Sequence, residues 1–470
     1  MNSINNNQLA SLVPDNTVPP PSTPGTLAKK QLTSAELNEF CIKLADLIEK
    51  NGFILRYNHQ LYMLYNGIYQ PLDKSLFRHM IYQLALRYEV TLENTDCNYV
   101  LAEAEVRTCD FPYIPNNESH TLFRNGFVNN LTGMLEANVP NYFPTMRVEA
   151  NYIINNNLYH PLTDQFLFTL ADGDPVLIKL FWQVIGYCIS SDANAKKIFV
   201  LYGESGDNGK STFLSFLQSF ITRDGVTSLS MSNLLGSRFA LSELYMKRLE
   251  LSTDEGTLNL GTAEIAVLKR ISGHDIITAD VKCQKQIQFL STCKILIASN
   301  HNIGTAYSAS DPAFTRRLCL IPFNAKIPYE KQDPFILQKL EMEKDAVATE
   351  AMRQYLELRQ NSYQFAEVNV PNNPLSFVPN GVEYDYIRQF SYSYCNFSNQ
   401  EAFTYTKELY QVFCNAFGNA IFKDITGFSQ AFHRFNENKI KKNKKRIAND
   451  NCWGFFGVTF NKYYEEVHYV

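Results

Sequence analysis

Four near-continuous apolar runs most constrain the fold of this 470-residue chain. Stretches with helical spacing separate them, among them STFLSFLQSF and AEIAVLKRIS. A strand that is apolar at every position is buried on both faces, and such strands alternating with helices form a parallel sheet with helices on each side. We therefore predict an α/β fold for the middle of the chain. The runs are KKIFVLYG (196–203), KRLELST (247–253), CKILIASN (293–300) and RRLCLIPF (316–323).

The remaining composition indicates a folded, multidomain protein. The chain is 45% hydrophobic and 13% aromatic, which is enough for packed cores over most of its length. The ten cysteines are scattered without C-x-x-C pairs or histidines at metal-site spacing, so we expect reduced thiols and no zinc site. The densest apolar stretch, Leu177 to Ile189, is interrupted by Lys179 and Gln183, and the N-terminus shows no signal pattern. We expect a cytoplasmic protein without a membrane span.

Charge is distributed unevenly along the chain. The formal net charge is −4, which argues against a protein that coats nucleic acid by bulk positive charge. Residues 434–446 nevertheless hold seven lysines or arginines against one acid, Glu437. An acidic body with one basic C-terminal segment indicates that any contact with nucleic acid is local.

A glycine-rich turn stands between the first apolar run and a predicted helix. Glycines let backbone N–H groups close around phosphate oxygens, the helix N-terminus adds partial positive charge, and a lysine there reaches the β and γ phosphates of a nucleotide. The spacing departs from G-x-x-x-x-G-K-[ST], because Gly203 lies one residue early and Glu204 takes the first glycine position. An ordinary turn before a helix is the alternative. The predicted nucleotide-binding residues are Gly203, Gly206, Asn208, Gly209, Lys210, Ser211 and Thr212, with the Ser211 hydroxyl on Mg²⁺.

Nucleotide hydrolysis needs further polar groups, and two apolar runs end in them. KRLELST is followed by Asp254 and Glu255, of which one is expected to hold Mg²⁺ through water and the other to activate the attacking water. KILIAS ends in Asn300, whose amide is expected to contact the γ-phosphate and that water. Each signal alone is weak, because acids at strand ends and asparagines at turns are common. Their order along the chain favours an ATPase.

Five motifs in order resemble those of superfamily 3 helicases of the poxvirus and phage or plasmid primase-helicase type. They are LYGESGDNGKSTFL, RFALSELYMKRLELSTDE, LKRISGHDIITADVKCQKQIQF, KILIASNH and DPAFTRRLCLIPF. The resemblance covers residues 55–325 and extends faintly into the C-terminal region. It implies a central P-loop ATPase of the AAA+ type, ATP and Mg²⁺ as cofactors, and 3′-to-5′ movement on single-stranded DNA.

The resemblance also implies roles for individual residues. Arg317 matches the arginine that a neighbouring subunit inserts at the γ-phosphate, with Arg316 as the alternative. An arginine supplied in trans acts only where subunits abut, so a homo-oligomeric ring, expected to be a hexamer, follows. The other matches are Lys210, Ser211 and Thr212 in the nucleotide-binding turn, Asp254 and Glu255 as the magnesium and catalytic acids, and Asn300 as the sensor.

Two basic segments are predicted to contact DNA. The resemblance places residues 269–289 in a hairpin inside the ring, where lysines would follow the phosphates of a single strand. In the C-terminal region, two predicted helices precede the basic run and the aromatic hairpin WGFFGVTF, which is the pattern of a winged helix. A solvated hairpin and a solubilising charge cluster are the alternatives. The predicted DNA contacts are Lys269, Lys282, Lys285, Lys439, Lys441, Lys442, Lys444, Lys445 and Arg446.

The N-terminal region shows no primase signature. Residues 36–150 contain no D-x-D motif, so we expect no primer synthesis by this chain, and a separate primase or polymerase is a candidate partner. A collar or a docking surface are both open roles for this region. The expected domains are a disordered tail (1–35), an N-terminal α+β domain (36–160), the ATPase (161–340), a helical segment and linker (341–372) and a winged-helix-like DNA-binding domain (373–470).

The sequence thus predicts a DNA-dependent ATPase that unwinds duplex DNA during replication of a virus, phage or mobile element, in the host cytoplasm. One alternative is an initiator that binds or melts an origin without processive unwinding. The other is a DNA-binding regulator with a vestigial P-loop. The departure of Gly203 from the usual P-loop spacing keeps this alternative open.

Overall fold

The computed structural model describes most of the chain. The expected tail lies largely outside the described residues, because the description begins at residue 32 and the first helix already begins at Ser34. Side chains at positions 254, 312, 381–385, 434, 445–447 and 450–452 are not described. The described ranges are 32–112, 115–155, 157–203, 206–255, 260–282, 285–300, 312–328, 330, 332–368, 381–418, 421–422, 424–436, 439–447 and 450–461.

The chain divides into two compact units. The first holds residues 1–256, 262–301 and 313–370, and the second holds 371–470 together with the short segments 257–261 and 302–312. The N-terminal α+β region and the parallel sheet therefore share the first unit. No helix in the described part of the chain has the length and apolarity that a membrane crossing needs.

The first unit begins with an α+β region. Its opening helix is fixed by a capping box, in which the side chains of Thr33 and Glu36 each accept from the other's backbone N–H. A three-stranded antiparallel sheet and two helices close around a core of their own. The elements are α1 (Ser34–Lys50), β1 (Ile54–Tyr57), β2 (Gln60–Tyr65), β3 (Ile68–Pro71), α2 (Lys74–Leu86) and α3 (Asn94–Arg107). A second antiparallel sheet follows, with β4 (His120–Phe123), β5 (Gly126–Asn129) and β6 (Leu135–Glu136).

A five-stranded parallel sheet forms the centre of this unit, as the apolar runs predict. All four runs are strands, and the sheet gains a fifth strand of two residues that was too short to predict. The spatial order is β13-β7-β12-β9-β8, so β7 lies inside the sheet with a parallel neighbour on each side. The strands are β7 (Ile198–Tyr202), β8 (Val226–Thr227), β9 (Leu249–Glu255), β12 (Lys294–Ser299) and β13 (Leu318–Pro322).

Helices cover the sheet and complete one large core. The β7 strand is buried at all five positions, and its side chains pack with those of the surrounding helices. Two helices cross closely, because a Cβ on Gly186 would lie 2.0 Å from the carbonyl oxygen of Ala351. Residues 344–360, expected within a helical segment and linker, thus contribute to the core. The helices are α4 (Pro161–Leu170), α5 (Pro175–Ile189), α6 (Lys210–Ser219), α7 (Met231–Gly236), α8 (Thr262–Ser272), α9 (Pro312–Thr315), α10 (Ile336–Glu341) and α11 (Lys344–Gln360).

An antiparallel hairpin, β10 (Ile276–Ala279) with β11 (Ile287–Leu290), is inserted between β9 and β12. Its base contacts the N-terminal region of the same unit. In the turn before β10, His274 has a positive φ of 61°, and its Nδ1 lies 2.6 Å from the Glu118 carboxylate. The ring of Tyr245 packs on Phe289, and its hydroxyl lies 3.4 Å from that of Tyr62. The α+β region therefore supports the base of the hairpin.

The second unit is a small helical domain with a three-stranded sheet. Three helices enclose a core rich in phenylalanine, and β15, β17 and β16 pair in that order. Two of its three helices are the pair that the sequence predicts before the basic run. The elements are α12 (Gly381–Ser393), β14 (Cys395–Asn396), β15 (Phe403–Tyr405), α13 (Thr406–Phe417), α14 (Ile425–Phe435), β16 (Lys441–Ile447), β17 (Asp450–Phe456) and β18 (Thr459–Phe460).

Two buried cations join the parallel sheet to the end of α5. Arg248 donates from Nη1 to the carbonyl of Ile189 at 2.7 Å, and Lys294 donates from Nζ to the carbonyl of Ser190 at 2.6 Å. The carboxyl end of a helix favours cations, because its last carbonyls carry partial negative charge. Burial, reinforced by the charge of Arg248, lowers the pKa of Lys294 to about 7. The folded state thus binds this proton less tightly than the unfolded chain does.

The low pKa of Lys294 predicts a stability that depends on pH. Between about 7 and the ordinary lysine pKa, the unfolded chain holds a proton that the folded protein has released, so unfolding becomes more costly as pH rises. We expect the unfolding free energy of the wild-type protein to increase by roughly 1–2 kcal/mol more than that of Lys294→Met between about pH 7 and 8.5. Parallel pH dependence in denaturant titrations of the two proteins would contradict this assignment.

Candidate functional site

The glycine turn follows directly on β7 and leads into α6. Gly203 is buried, and a Cβ there would lie 2.3 Å from Nδ2 of Asn208 and 2.5 Å from the carbonyl oxygen of Phe323. Gly209 has a φ of 83°, and a Cβ there would lie 2.3 Å from Leu170. Close approach thus requires glycine at both positions, and the left-handed conformation adds to the requirement at Gly209. The early glycine at 203 is therefore part of the turn and closes it against the end of β13.

The turn places Lys210 at the first position of α6 and buries it. Its Nζ donates to the carbonyl of Gly203 at 3.3 Å, to Oδ1 of Asn208 at 3.0 Å and to Oδ1 of Asn300 at 2.6 Å. Asn300 immediately follows β12, the parallel neighbour of β7. The structure thus brings together two predicted site residues that are 90 positions apart. They meet because the carboxyl ends of parallel strands lie at the same edge of the sheet.

The start of α6 has the features of an anion site. Helix α6 has ten residues with no acidic side chain in its first turn, and its N-cap is Gly209. A helix start has N–H groups without partners inside the helix and a partial positive charge, and both favour a phosphate. Ser211 is exposed and Thr212 half-buried in that first turn, while Gly206 is exposed in the turn that precedes it. Serine and threonine hydroxyls are ligands that Mg²⁺ accepts beside bound phosphates, so the residues present fit both a nucleotide and its metal.

Of the two predicted acids, Asp254 and Glu255, the structure describes the side chain of Glu255 only. The backbone of Asp254 lies in β9, and its side chain lies outside the described set. Glu255 is buried, and its Oε1 accepts from the backbone N–H of Met231, the first residue of α7, at 2.7 Å. The carboxylate expected to activate water is thus engaged at a helix start.

A third acid, Glu250, was missed by the sequence interpretation. It is fully buried in β9, and its Oε1 accepts from the backbone N–H of Leu229 at 2.8 Å. Burial raises its pKa to about 7; the hydrogen bond from Leu229 opposes the shift and the charge of Glu255 adds to it. The available signal was an acid between two leucines of a predicted strand. Glu250 and Glu255 together secure residues 229–231, which connect β8 to α7.

The two candidate arginines lie at the amino ends of the parallel strands, whereas the glycine turn lies at their carboxyl ends. The backbone N–H of Ile198, the first residue of β7, donates to the carbonyl of Arg317 at 2.7 Å. The turn follows the last residue of β7, and five residues of strand span about 16 Å. Arg317 also donates from Nη1 to the carbonyl of Ala313, and Arg316 is exposed. Neither arginine reaches the glycine turn of its own chain.

The β10–β11 hairpin carries the predicted lysines near its tip. Lys282 and Lys285 are exposed, whereas Lys269 is half-buried in the last turn of α8, away from the tip. Asp280 is held at the start of the tip by Gln286, at 2.8 Å, and by Nε of Arg238, at 2.7 Å, and these two contacts lower its pKa. Arg238 is a further cation beside the tip that the sequence interpretation did not include.

The C-terminal basic run is itself a strand. The sequence interpretation placed the hairpin within WGFFGVTF, but the run forms β16 and pairs in continuous register with β17. The run is therefore displayed on a hairpin that follows α14. Among its predicted contacts, Lys439, Lys441, Lys442 and Lys444 are exposed, and the side chains of Lys445 and Arg446 lie outside the described set.

Comparisons with known proteins bear on the fold. A model of a family of unknown function (DUF5906) matches residues 201–317, from within β7 to Arg317. An apo structure of the NrS-1 C-terminal region is 14% identical, with a TM-score of 0.51 over 88% of this chain and 98% of that chain. Another structure of that region is also 14% identical, with a TM-score of 0.53 over 89% and 100%. No curated protein matches. This chain is therefore similar in overall fold to the NrS-1 C-terminal region.

The geometry of the turn predicts that substitution by alanine has different effects on stability at two of its glycines. Gly209→Ala should destabilise the protein by about 1–3 kcal/mol, because it adds left-handed backbone strain and a contact with Leu170. Gly206→Ala is the matched control: among the described residues its Cβ meets nothing within 4 Å, so its effect should stay within about 0.5 kcal/mol. Thermal denaturation of both variants checks the difference. Equal losses would mean that the conformation at Gly209 is not as described.

Proposed function

We propose that this protein is an ATP-dependent ring helicase that moves along single-stranded DNA and unwinds duplex DNA during replication of a virus, phage or mobile element. The bond between Lys210 and Asn300 carries the proposal. It joins the lysine of a phosphate-binding turn to a polar side chain at the end of the next strand, which is the arrangement that a nucleotide γ-phosphate requires. The resemblance to superfamily 3 helicases supplies the choice of DNA as partner and the 3′-to-5′ direction.

The proposed nucleotide site is that of a P-loop ATPase of the AAA+ type. Lys210 and the N–H groups of the turn would bind the phosphates of ATP, and Asn300 would sense the γ-phosphate. Ser211 and Asp254 would hold Mg²⁺, which when bound neutralises charge on the β and γ phosphates. Glu255 would orient the attacking water. The ring of neutral acceptors around Lys210 keeps the ammonium positioned over the turn before ATP arrives.

The position of the arginines supports a ring. Arg317 lies at the sheet edge opposite its own glycine turn, so its proposed action at a γ-phosphate needs the turn of a neighbouring copy. Arg316 is the alternative for this role. We propose a homo-oligomer, a hexamer by family resemblance, in which each interface holds one ATP.

Two surfaces are proposed to bind DNA. The β10–β11 hairpin would carry Lys282 and Lys285 into the central channel, with Lys269 in its supporting helix. The second unit has the order helix, two short strands, helix, helix, two-stranded hairpin and a last short strand. The two helices followed directly by the hairpin support the interpretation as a winged helix. Its basic strand would contact phosphates. The α+β region, which holds the base of the hairpin, is proposed to act as a collar or docking surface, with a separate primase or polymerase as candidate partner.

A second candidate is a DNA-binding regulator with a vestigial P-loop. The bond between Glu255 and Met231 favours it, because one oxygen of this carboxylate is already engaged by the backbone. An initiator that melts an origin without processive unwinding shares every feature of the site. DNA-stimulated phosphate release separates the regulator from both ATPases, and strand displacement on forked DNA separates the helicase from the initiator.

Two substitutions test the catalytic assignment. We expect Lys210→Ala to lower ATP turnover about 10²- to 10³-fold through the loss of phosphate stabilisation. We expect Arg317→Ala to lower it about 10³- to 10⁵-fold while nucleotide binding persists. Lys179→Ala, at an exposed ion pair on α5, is the control.

Mixing the two inactive proteins tests the trans arrangement. An interface between the turn of an Arg317→Ala subunit and the arginine of a Lys210→Ala neighbour is complete. Turnover should therefore reappear in the mixture. Recovery is measured as phosphate release against total subunit concentration, and a mixture as inactive as its components would contradict the trans arginine.

The hairpin lysines provide a further test. Lys282→Gln combined with Lys285→Gln should reduce the stimulation of ATP turnover by single-stranded DNA, and should make the salt dependence of DNA binding shallower by about 1.4 in slope. A charge-matched control is Lys43→Gln with Lys50→Gln, at exposed lysines of α1. The same loss of stimulation in both double variants would show a bulk charge effect instead of a hairpin contact.

A further inference from the structure

The two tryptophans of this chain have different settings. Trp182 is 7% exposed and packs in the core of the first unit, whereas Trp453 is 52% exposed in β17. Exposing a large aromatic ring to water forgoes a substantial hydrophobic gain. An exposed tryptophan on a regular strand is therefore a candidate contact with a ligand.

Strand register places two lysines on the same face as this ring. Lys444 pairs directly with Trp453, and Lys442 pairs with Phe455, the next residue on that face of β17. The ammonium of Lys444 lies 4.8 Å from the centroid of the Trp453 ring, and that of Lys442 lies 5.8 Å from it. Both lysines are exposed. The face thus presents a flat aromatic surface with two exposed lysine ammonium groups beside it.

The other end of this face is anchored in the domain core. Phe455 is fully buried, and its ring contacts Phe432 of α14 with centroids 5.5 Å apart. The ring of His433 stacks on Phe455 at 6.0 Å and 23°. Two residue pairs along the hairpin, at Trp453, the same face is exposed. The contact between Phe455 and Phe432 therefore joins β17, and with it the backbone of Trp453, to α14.

We propose that Trp453 is a stacking platform for an unpaired nucleobase, with Lys442 and Lys444 binding the phosphates on either side of it. The proposal rests on the proposed function in taking a nucleic acid strand as the ligand, and it adds that the hairpin of the second unit binds unpaired nucleotides. Bases within a duplex are covered on both faces by their neighbours, so only an unpaired or terminal base offers its ring to an aromatic side chain. The lysines exchange their contacts with the indole for phosphate oxygens when the strand binds.

Intrinsic fluorescence reports this site directly, because the other tryptophan is buried. We expect a single-stranded oligonucleotide to quench the Trp453 component of the full-length protein, and a blunt duplex of the same length to quench it far less. Trp453→Ala should weaken oligonucleotide affinity, measured by anisotropy of a labelled strand, by roughly 5- to 150-fold. Trp453→Phe should retain most of that affinity, because it keeps an aromatic face.

A control variant separates a specific platform from general loss of exposed aromatic surface. Tyr88 is 54% exposed in the first unit, so Tyr88→Ala removes a ring of similar exposure and should leave affinity for the strand unchanged. Lys442→Gln with Lys444→Gln should reduce the salt slope of binding by about 1.4. Equal unfolding temperatures for these variants and the wild type establish that the changes are local.

Specific outcomes would overturn the proposal. The first is that the single strand does not quench the fluorescence of Trp453, and the second is that Trp453→Ala and the wild type bind the single strand with equal affinity. The third is that the blunt duplex quenches as strongly as the single strand, which would indicate that the hairpin binds duplex DNA. The titrations contain no ATP, so they do not depend on hydrolysis. Quenching without DNA-stimulated ATP turnover would support the stacking platform and contradict the proposed helicase. Stimulated turnover without quenching would support the helicase and contradict the platform.

Discussion

The parallel pairing of β7 with β12 and β13 is the constraint on which the candidate site depends. Because β7 is buried on both faces and paired on both edges, the turn after it has one place to emerge. The same pairing brings Asn300 to Lys210 and sends Arg317 to the opposite edge. One hydrogen-bonded register thus determines which predicted residues meet within the chain and which lie apart.

Polar groups buried around that sheet control its less regular parts. Glu250 and Glu255 bind the backbone at residues 229–231, and Arg248 and Lys294 bind the end of α5. Each satisfies backbone groups that would otherwise be buried without partners, which is costly in a medium of low polarity. The bond from the backbone N–H of Met231 to Glu255 joins this carboxylate to the start of α7.

The two proposed DNA surfaces use different physics. The tip of the β10–β11 hairpin offers lysines and Arg238 near Asp280, so its attraction is electrostatic and weakened by salt. The β16–β17 hairpin adds an exposed indole to its lysines, and stacking on that ring is less sensitive to salt. A protein with net charge −4 can thus bind nucleic acid at small sites without coating it.

The sequence by itself determined the parallel strands, the helices of the second unit and the lysine of the glycine turn, because apolar periodicity and glycine spacing are local properties. Only the tertiary structure decided that Gly203 closes the turn against Phe323, that Glu255 binds Met231, and that the basic run is a strand beside Trp453. These depend on contacts between residues far apart in the chain and on strand register. Local pattern carries no information about either, since the partner of a strand or a carboxylate is chosen by packing.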